Sequence, residues 1–464
     1  MVFSSVTFLF AFLPATLLGY YVLPRSWRIA FLLLVSLVFY AWGEPVYVLL
    51  MMGSILINWC IGLLMERFER RKRALLVLAV VIDLAMLAVF KYASFLMRTV
   101  AAIVPAVAGN ALPDIRLPIG ISFFTFQILS YIIDVYRGDA RTQKNLVRFG
   151  AYVSMFPQLI AGPIVRYTDI EAQLERQTLS VDRFAGGVRL FIIGLAKKLL
   201  LANAMGTFWA EMSAAPGENG LLGAWAGLIA YAFQIYFDFS GYSDMACGLG
   251  EMLGFTFVQN FRYPYVSTSI TDFWRRWHIS LSTWFREYVY IPLGGNRRGP
   301  ARQIFNIFAV WLLTGLWHGA SWNFVLWGLY FGVLLMLEKL FLLRALHRVP
   351  DWIKHVYALF FIVLGWGIFY FTDFSAMGAY LRSLFTVGSA GLLSVHARAW
   401  VAGFLPWLGV CAVASTPLGA HVAACVARWR GFEALRLAVF IALFALCVAA
   451  LASQSYNPFI YFRF

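Results

Sequence analysis

A chain of 464 residues that is 62% hydrophobic and only 13% charged cannot clothe a soluble surface, since soluble domains carry roughly 25% charged residues. Lipid has to cover most of the outside, and no linker or low-complexity tract divides the chain, so residues 1–464 read as one membrane domain. The net charge of +15 falls in short clusters between apolar runs, which is the pattern of cytoplasmic loops and excludes a nucleic-acid surface.

Runs of about 20 apolar residues are long enough to span a bilayer as helices. In chain order they predict spans at 7–23, 29–48, 47–65, 74–95, 117–136, 187–205, 222–246, 355–372, 400–416 and 434–452. No basic residue precedes the first run, so it lacks the head of a cleaved signal and reads as a retained span. Arg25 and Arg28, then Arg67 to Arg73, then Arg137, Arg141, Lys144 and Arg148 mark cytoplasmic loops. Lys and Arg vanish between Lys198 and Arg262, where Glu211 and Glu218 occupy a loop expected outside. The basic segment 262–302 is then cytoplasmic, and both termini are external. Asp83 is a lone acid inside its span, with no partner evident. The five cysteines form no C-x-x-C pair, so neither a disulfide framework nor a metal site is expected.

Two apolar regions look broken. Pro157, Gly162 and Pro163 interrupt 149–165, and 304–337 is interrupted near Gly315 to Gly319. Irregular backbone at membrane depth survives only where protein or a water-filled cavity satisfies it, so both breaks are places to look for a site. The plainer reading is a proline kink that shapes packing.

Three stretches carry candidate chemistry. The first, 234–245, places Asp238 and Asp244 in an apolar span, with Ser240 to Ser243 between them placed to unwind the helix; two intramembrane carboxylates suit an ion path or, as favoured here, support for another group. In the second, Ser269 with Asp272 predicts a capped helix start. Trp274, Trp277, Leu281, Trp284 and Tyr288 then recur at steps of three and four, one aromatic face of an amphipathic helix. Arg275, Arg276 and Arg286 flank it, and His278 falls near the same face. A membrane-surface anchor, with arginines on lipid phosphates, explains the tryptophans and arginines but not the histidine. The third stretch sets His318 amid apolar residues beside Trp317 and Gly319, with Asn323 as a helper or packing contact. An ionisable group at such depth is a functional candidate by default, and an imidazole suits general-base work near neutral pH. A structural histidine bonded to a neighbouring carbonyl is the competing reading.

The order of Leu117–Phe123 (LPIGISF), Asp134–Gly138 (DVYRG), Phe156–Pro163 (FPQLIAGP), Tyr236–Ala246 (YFDFSGYSDMA), Phe273–Ser282 (FWRRWHISLS) and Gly315–Gly319 (GLWHG) resembles the membrane-bound O-acyltransferase family, and within it the bacterial branch that acetylates alginate. The opening MVFSS and closing PFIYFRF also fit. The segment WGIFYFT (366–372) lacks the expected arginine, and 387–435 matches weakly.

The resemblance implies an all-α fold, a ring of tilted helices with re-entrant segments and a central tunnel. It implies that His318 is the catalytic histidine and His278 the second functional position. The expected activity is transfer of an acetyl group from acetyl-CoA, a co-substrate rather than a bound cofactor, towards an exported polysaccharide such as alginate or cellulose. Arg275, Arg276, Trp274, Trp277 and Trp317 would bind the donor, and Asp238, Asp244 and Asn323 would support. A periplasmic acetyltransferase partner, membrane lipid and the bacterial inner membrane complete the expectation. The alternatives are a peptidoglycan or teichoic acid acceptor, or an ion-coupled transporter.

Overall fold

A helix satisfies its own backbone without help from water, which is why long apolar runs in lipid adopt it. In this computed structural model, which describes residues 1–104, 115–453 and 459, every regular element is helical. Seven helical stretches among the described residues are long and apolar enough to cross a membrane: Tyr47–Arg67, Glu69–Ile103, Gly220–Met252, Trp322–Leu346, Asp351–Tyr370, Val395–Ala414 and Phe432–Ser453. The chain is an all-α, multi-pass membrane protein. Only 11% of each of the last two spans is buried inside the protein, leaving their apolar surface to lipid.

Four of the ten expected spans come out differently. The 7–23 run is the shorter helix Phe8–Val22, and 29–48 ends early at Ala41. The 117–136 run is a helix of 17 residues enclosed by protein along nearly all its length, so it needs no lipid-spanning reach. The 187–205 run passes through a π turn at Lys197–Ala202 and carries buried Lys198.

The chain forms two compact units, residues 1–191 with 243–258 and residues 192–242 with 259–464. The first contains α1 (Leu13–Val22), α2 (Arg25–Ala41), α3 (Tyr47–Arg67), α4 (Lys72–Leu87), α5 (Ala93–Ile103), α6 (Ile121–Arg137), α7 (Leu146–Ser154), α8 (Phe156–Leu159) and α9 (Tyr167–Glu175). Its core packs α2 on α7 and α4 on α6, around the rings of Phe8, Phe12, Phe39 and Phe156. Asp83 has a partner after all, since Asn58 donates its amide to the carboxylate at 2.9 Å. The broken segment 149–165 is braced by protein groups, with only part of its polar capacity used: the buried Gln158 side-chain oxygen has no partner among the described residues. Phe156 N donates to Ser36 Oγ at 3.1 Å, and Tyr152 OH donates to Val165 O at 3.0 Å. A Cβ on Gly162 would stand 2.5 Å from Gln158 Cα, so only glycine fits that fold-back.

Two helices, α10 (Val181–Ala196) and α12 (Gly220–Met252), contribute to both units. The second unit adds α11 (Asn203–Ala214), α13 (Ile270–Arg276), α14 (Ile279–Phe285), α15 (Pro300–His318), α16 (Trp322–Leu337), α17 (Leu343–Leu346) and α18 (Asp351–Tyr370), followed by α19 (Phe374–Ser383), α20 (Val395–Ala414), α21 (Leu418–Val426) and α22 (Phe432–Ser453). Its centre is the α15–α16 hairpin. The two helices approach until a Cβ on Gly315 would run into the Phe324 carbonyl, and one on Gly328 into the Trp311 carbonyl. α18 closes on α16 through Tyr330 OH, which donates to Phe361 O at 2.8 Å. The closing PFIYFRF motif lies outside the described residues except for Phe459.

Candidate active site

Residues 269–288 do not form the single amphipathic helix that their aromatic spacing predicts. Ser269 caps α13 as expected, accepting from Asp272 N at 3.0 Å. The helix then stops at Trp277, and His278 takes a left-handed conformation, φ 44° and ψ 55°, before α14 begins. A non-glycine residue there costs about 1–2 kcal/mol, which the surroundings must offset. They do so through the extended segment 260–262, which bonds to both sides of the break. Arg262 N donates to Arg276 O at 3.0 Å and Ile279 N to Asn260 O at 3.0 Å, while Ser280 N donates to the Asn260 side-chain oxygen at 3.0 Å. Nor is the aromatic face a lipid anchor. Trp274, Trp277, Leu281, Trp284 and Tyr288 are all buried in protein.

The second histidine lies where the hairpin turns. His318 is the last residue of α15, and α16 starts at Trp322. This is the interruption expected near Gly315 to Gly319. At Gly319 a Cβ would collide with the Phe324 ring, which would have to shift to admit it. Asn323 is a packing contact: its amide donates to Phe369 O at 2.9 Å and ties α16 to α18.

Both imidazoles line one cavity of about 510 Å³, in company with Trp274, Trp277, Arg275, Arg286, Tyr290 and Lys339. The Trp317 indole lies off that wall but packs on both histidines, with ring centroids 5.6 Å from His278 and 5.0 Å from His318. Arg276 does not join Arg275 on the wall. Its guanidinium turns back to Asp272 at 3.0 Å, one helical turn earlier. The mouth of the cavity is cationic and its depth aromatic. His318 and Trp277 also border a second space of only about 10 Å³, otherwise walled by Ile235, Phe239, Trp327, Trp366 and Phe369.

The site leaves hydrogen-bonding capacity unused. Among the described residues neither ring nitrogen of His278 has a partner, and neither does the indole N–H of Trp274 or of Trp327. Buried polar groups are nearly always paired, so these nitrogens are available to a molecule that enters the cavity. Burial pulls the His278 pKa down to about 3, so its ring is neutral at physiological pH.

The expected pair of carboxylates is not a pair. α12 runs unbroken through Ser240 to Ser243, because nothing there opposes the helix. Six residues of helix turn Asp244 roughly 240° away from Asp238. Asp238 is instead ion-paired with buried Lys198, and Asp244 is half-buried. Next to Asp238, the Phe239 ring meets His278 edge-on at 4.7 Å.

Sequence reasoning missed Glu338. Its carboxylate is buried and accepts from Ile270 N at 2.7 Å, Thr271 N at 2.8 Å, Thr271 Oγ1 at 2.6 Å and Tyr357 OH at 3.2 Å. It thereby holds the start of α13. The signal was present: Glu338 is a lone acid in an apolar run, the same cue that singles out His318.

The model of MBOAT, the membrane-bound O-acyltransferase family, matches residues 137–379. The "Probable alginate O-acetylase AlgI" of Pseudomonas aeruginosa is 39% identical over the full length of both chains. The "Peptidoglycan O-acetyltransferase" of Helicobacter pylori is 33% identical over 87% of this chain and 83% of its own length. The "Teichoic acid D-alanyltransferase" of Bacillus subtilis is 30% identical over 48% of this chain and 59% of its own. With both histidines on the wall of one cavity inside the matched region, this chain belongs to the membrane-bound O-acyltransferase family and is an acyl-transferring enzyme of the membrane.

Proposed function

We propose that the chain, acting as one domain over residues 1–464, transfers an acetyl group from cytoplasmic acetyl-CoA towards hydroxyls of an exported polysaccharide across the bacterial inner membrane. The observation that carries this reading is the shared cavity: two buried imidazoles, one with no partner among the described residues, at the end of a space with a cationic mouth. Arg275 at the mouth attracts the phosphates of the donor, supported by Arg286 and Lys339, and Trp274 and Trp277 flank its extended arm. Arg276, held by Asp272, lends charge without contact.

His318 takes the proton from the acceptor hydroxyl, and the oxygen attacks the thioester carbonyl carbon. The C–S bond breaks, and the proton ends on the leaving thiolate, giving an acetyl ester and free thiol. His278, neutral, orients the thioester or polarises its carbonyl, and Trp317 holds the two rings apart. The space of about 10 Å³ beside His318 is about the size of one small group, which favours acetyl over longer chains. Asn323 and the Lys198–Asp238 pair support the walls.

Alginate or cellulose is the acceptor we favour, and a periplasmic acetyltransferase partner completes delivery. The relative named for peptidoglycan supports a cell-wall acceptor as second reading. The transporter reading falls with the family match. Deleting the gene should remove O-acetyl esters from the exported polymer, with restoration by the wild-type chain and not by His318→Ala. Unchanged esters in the deletion strain overturn the proposal. The 262–302 segment should face the cytoplasm, so an impermeant thiol reagent should not label Arg298→Cys in intact cells.

A further inference from the structure

An imidazole is usually oriented by a hydrogen bond to one of its nitrogens. Among the described residues His278 has none: both nitrogens lack a partner, and its ring is bounded by Phe239 and Trp317. Aromatic neighbours limit tilt but do not fix position. What remains to place the ring is its own backbone, which sits in a left-handed conformation that histidine does not choose unaided.

Two side chains hold that backbone from opposite ends. Upstream, Glu338 takes both free N–H groups of Ile270 and Thr271 and the Thr271 hydroxyl, fixing where α13 begins. The helix has only seven residues, so a shift at its start is carried directly to its end at Arg276. Downstream, Asn260 takes Ile279 N on its carbonyl and Ser280 N on its side chain, fixing where α14 begins. Both side chains are fully buried, so water cannot replace either one.

We infer that Glu338 and Asn260 are positioning residues that act as a two-point clamp on the His278 backbone, in place of the hydrogen bond its ring lacks. The inference rests on the role proposed above for His278. It assigns an energetic purpose to a carboxylate inside an apolar span: four neutral donors converge on it, and it anchors a loop-borne catalytic group to the α16 rod.

The test uses the purified full-length protein. Diethyl pyrocarbonate carbethoxylates accessible imidazoles, and peptide mass spectrometry reads His278 and His318 separately. Asn260→Leu removes the acceptor at similar volume, and Glu338→Gln keeps the side chain's shape while losing acceptor capacity. Each should change the labelling rate of His278 about 10-fold relative to His318, and lower kcat by no more than the roughly 10-fold lost when the His278 ring itself is removed, with the donor KM little altered. Asn260→Asp, which keeps the acceptor, should restore the wild-type labelling ratio. In a His278→Ala background neither substitution should lower kcat further, whereas a merely structural role would lower it again. Should Asn260→Leu fail to accumulate, Glu338→Gln carries the same test. An unchanged labelling ratio in the folded variants overturns the clamp. Labelling needs no acyl transfer, so failure of the acetyltransferase reading would show separately, as absent turnover in the wild type.

Discussion

The two broken apolar segments look alike in sequence and differ in what they leave unfinished. At 149–165 the backbone turns back on itself with part of its polar capacity handed to Ser36, Tyr152 and Val165, and the segment contains no histidine or carboxylate. In 304–337 the break falls beside His318, and on the same cavity wall the nitrogens of His278 and the Trp274 indole have no partner among the described residues. A break in a membrane helix is therefore an architectural event by default. It becomes a site when the groups it exposes cannot be satisfied by the protein itself.

Substitutions at the two segments should separate them, and the largest effect belongs to His318. Removing a general base costs on the order of 10²–10⁴-fold, so His318→Ala should lose acetyl transfer at that scale while the protein still accumulates in the membrane, checked by ester analysis beside an immunoblot. Normal acetylation in the variant would make the second break as structural as the first. His278→Asn should reduce kcat less, by roughly 10-fold, since it orients rather than transfers a proton. Because burial pulls the His278 pKa down to about 3, this ring does not titrate across the pH 5–8 range. The pH profile of kcat/KM should accordingly keep its shape in the variant, and a displaced acid limb would show that His278 changes charge during turnover.

Enlarging the small space sharpens the comparison further. Ile235→Ala should raise use of a propionyl donor relative to acetyl by roughly 10-fold, the scale set by one methylene in an apolar pocket; an unaltered ratio means the acyl group lodges elsewhere. At the first segment, Gly162→Ala forces its Cβ against Gln158 and should destabilise the fold by about 1–3 kcal/mol. It should reduce the yield of folded protein but leave turnover per folded molecule at the wild-type value.

The sequence made some of this legible and not the rest. His318 stood out because one ionisable group in an apolar, glycine-flanked run has few explanations. The two breaks and the α13 cap were equally local. The stop at His278 was hidden, since steps of three and four describe either one helix or two, and a left-handed histidine leaves no mark in composition. Asp238 was given the wrong companion for a related reason: its partner, Lys198, lies in another helix, and pairing across helices is set by packing rather than by spacing. Glu338 and Asn260 reach 68 and 20 residues along the chain to their partners, distances at which no periodicity operates.

The Lys198–Asp238 pair constrains how the chain is made. A lysine at membrane depth costs roughly 2.5–3.5 kcal/mol to insert, and Lys198, buried in the turn that joins α10 to α11, is ion-paired with the Asp238 carboxylate. The two helical segments leave the ribosome one after the other, joined by the loop near Gly217. The first is poorly suited to lipid alone, and the second carries the charge that makes it acceptable. They are best released into the bilayer as a pre-paired hairpin, so the order of synthesis and the order of assembly coincide at this point in the molecule.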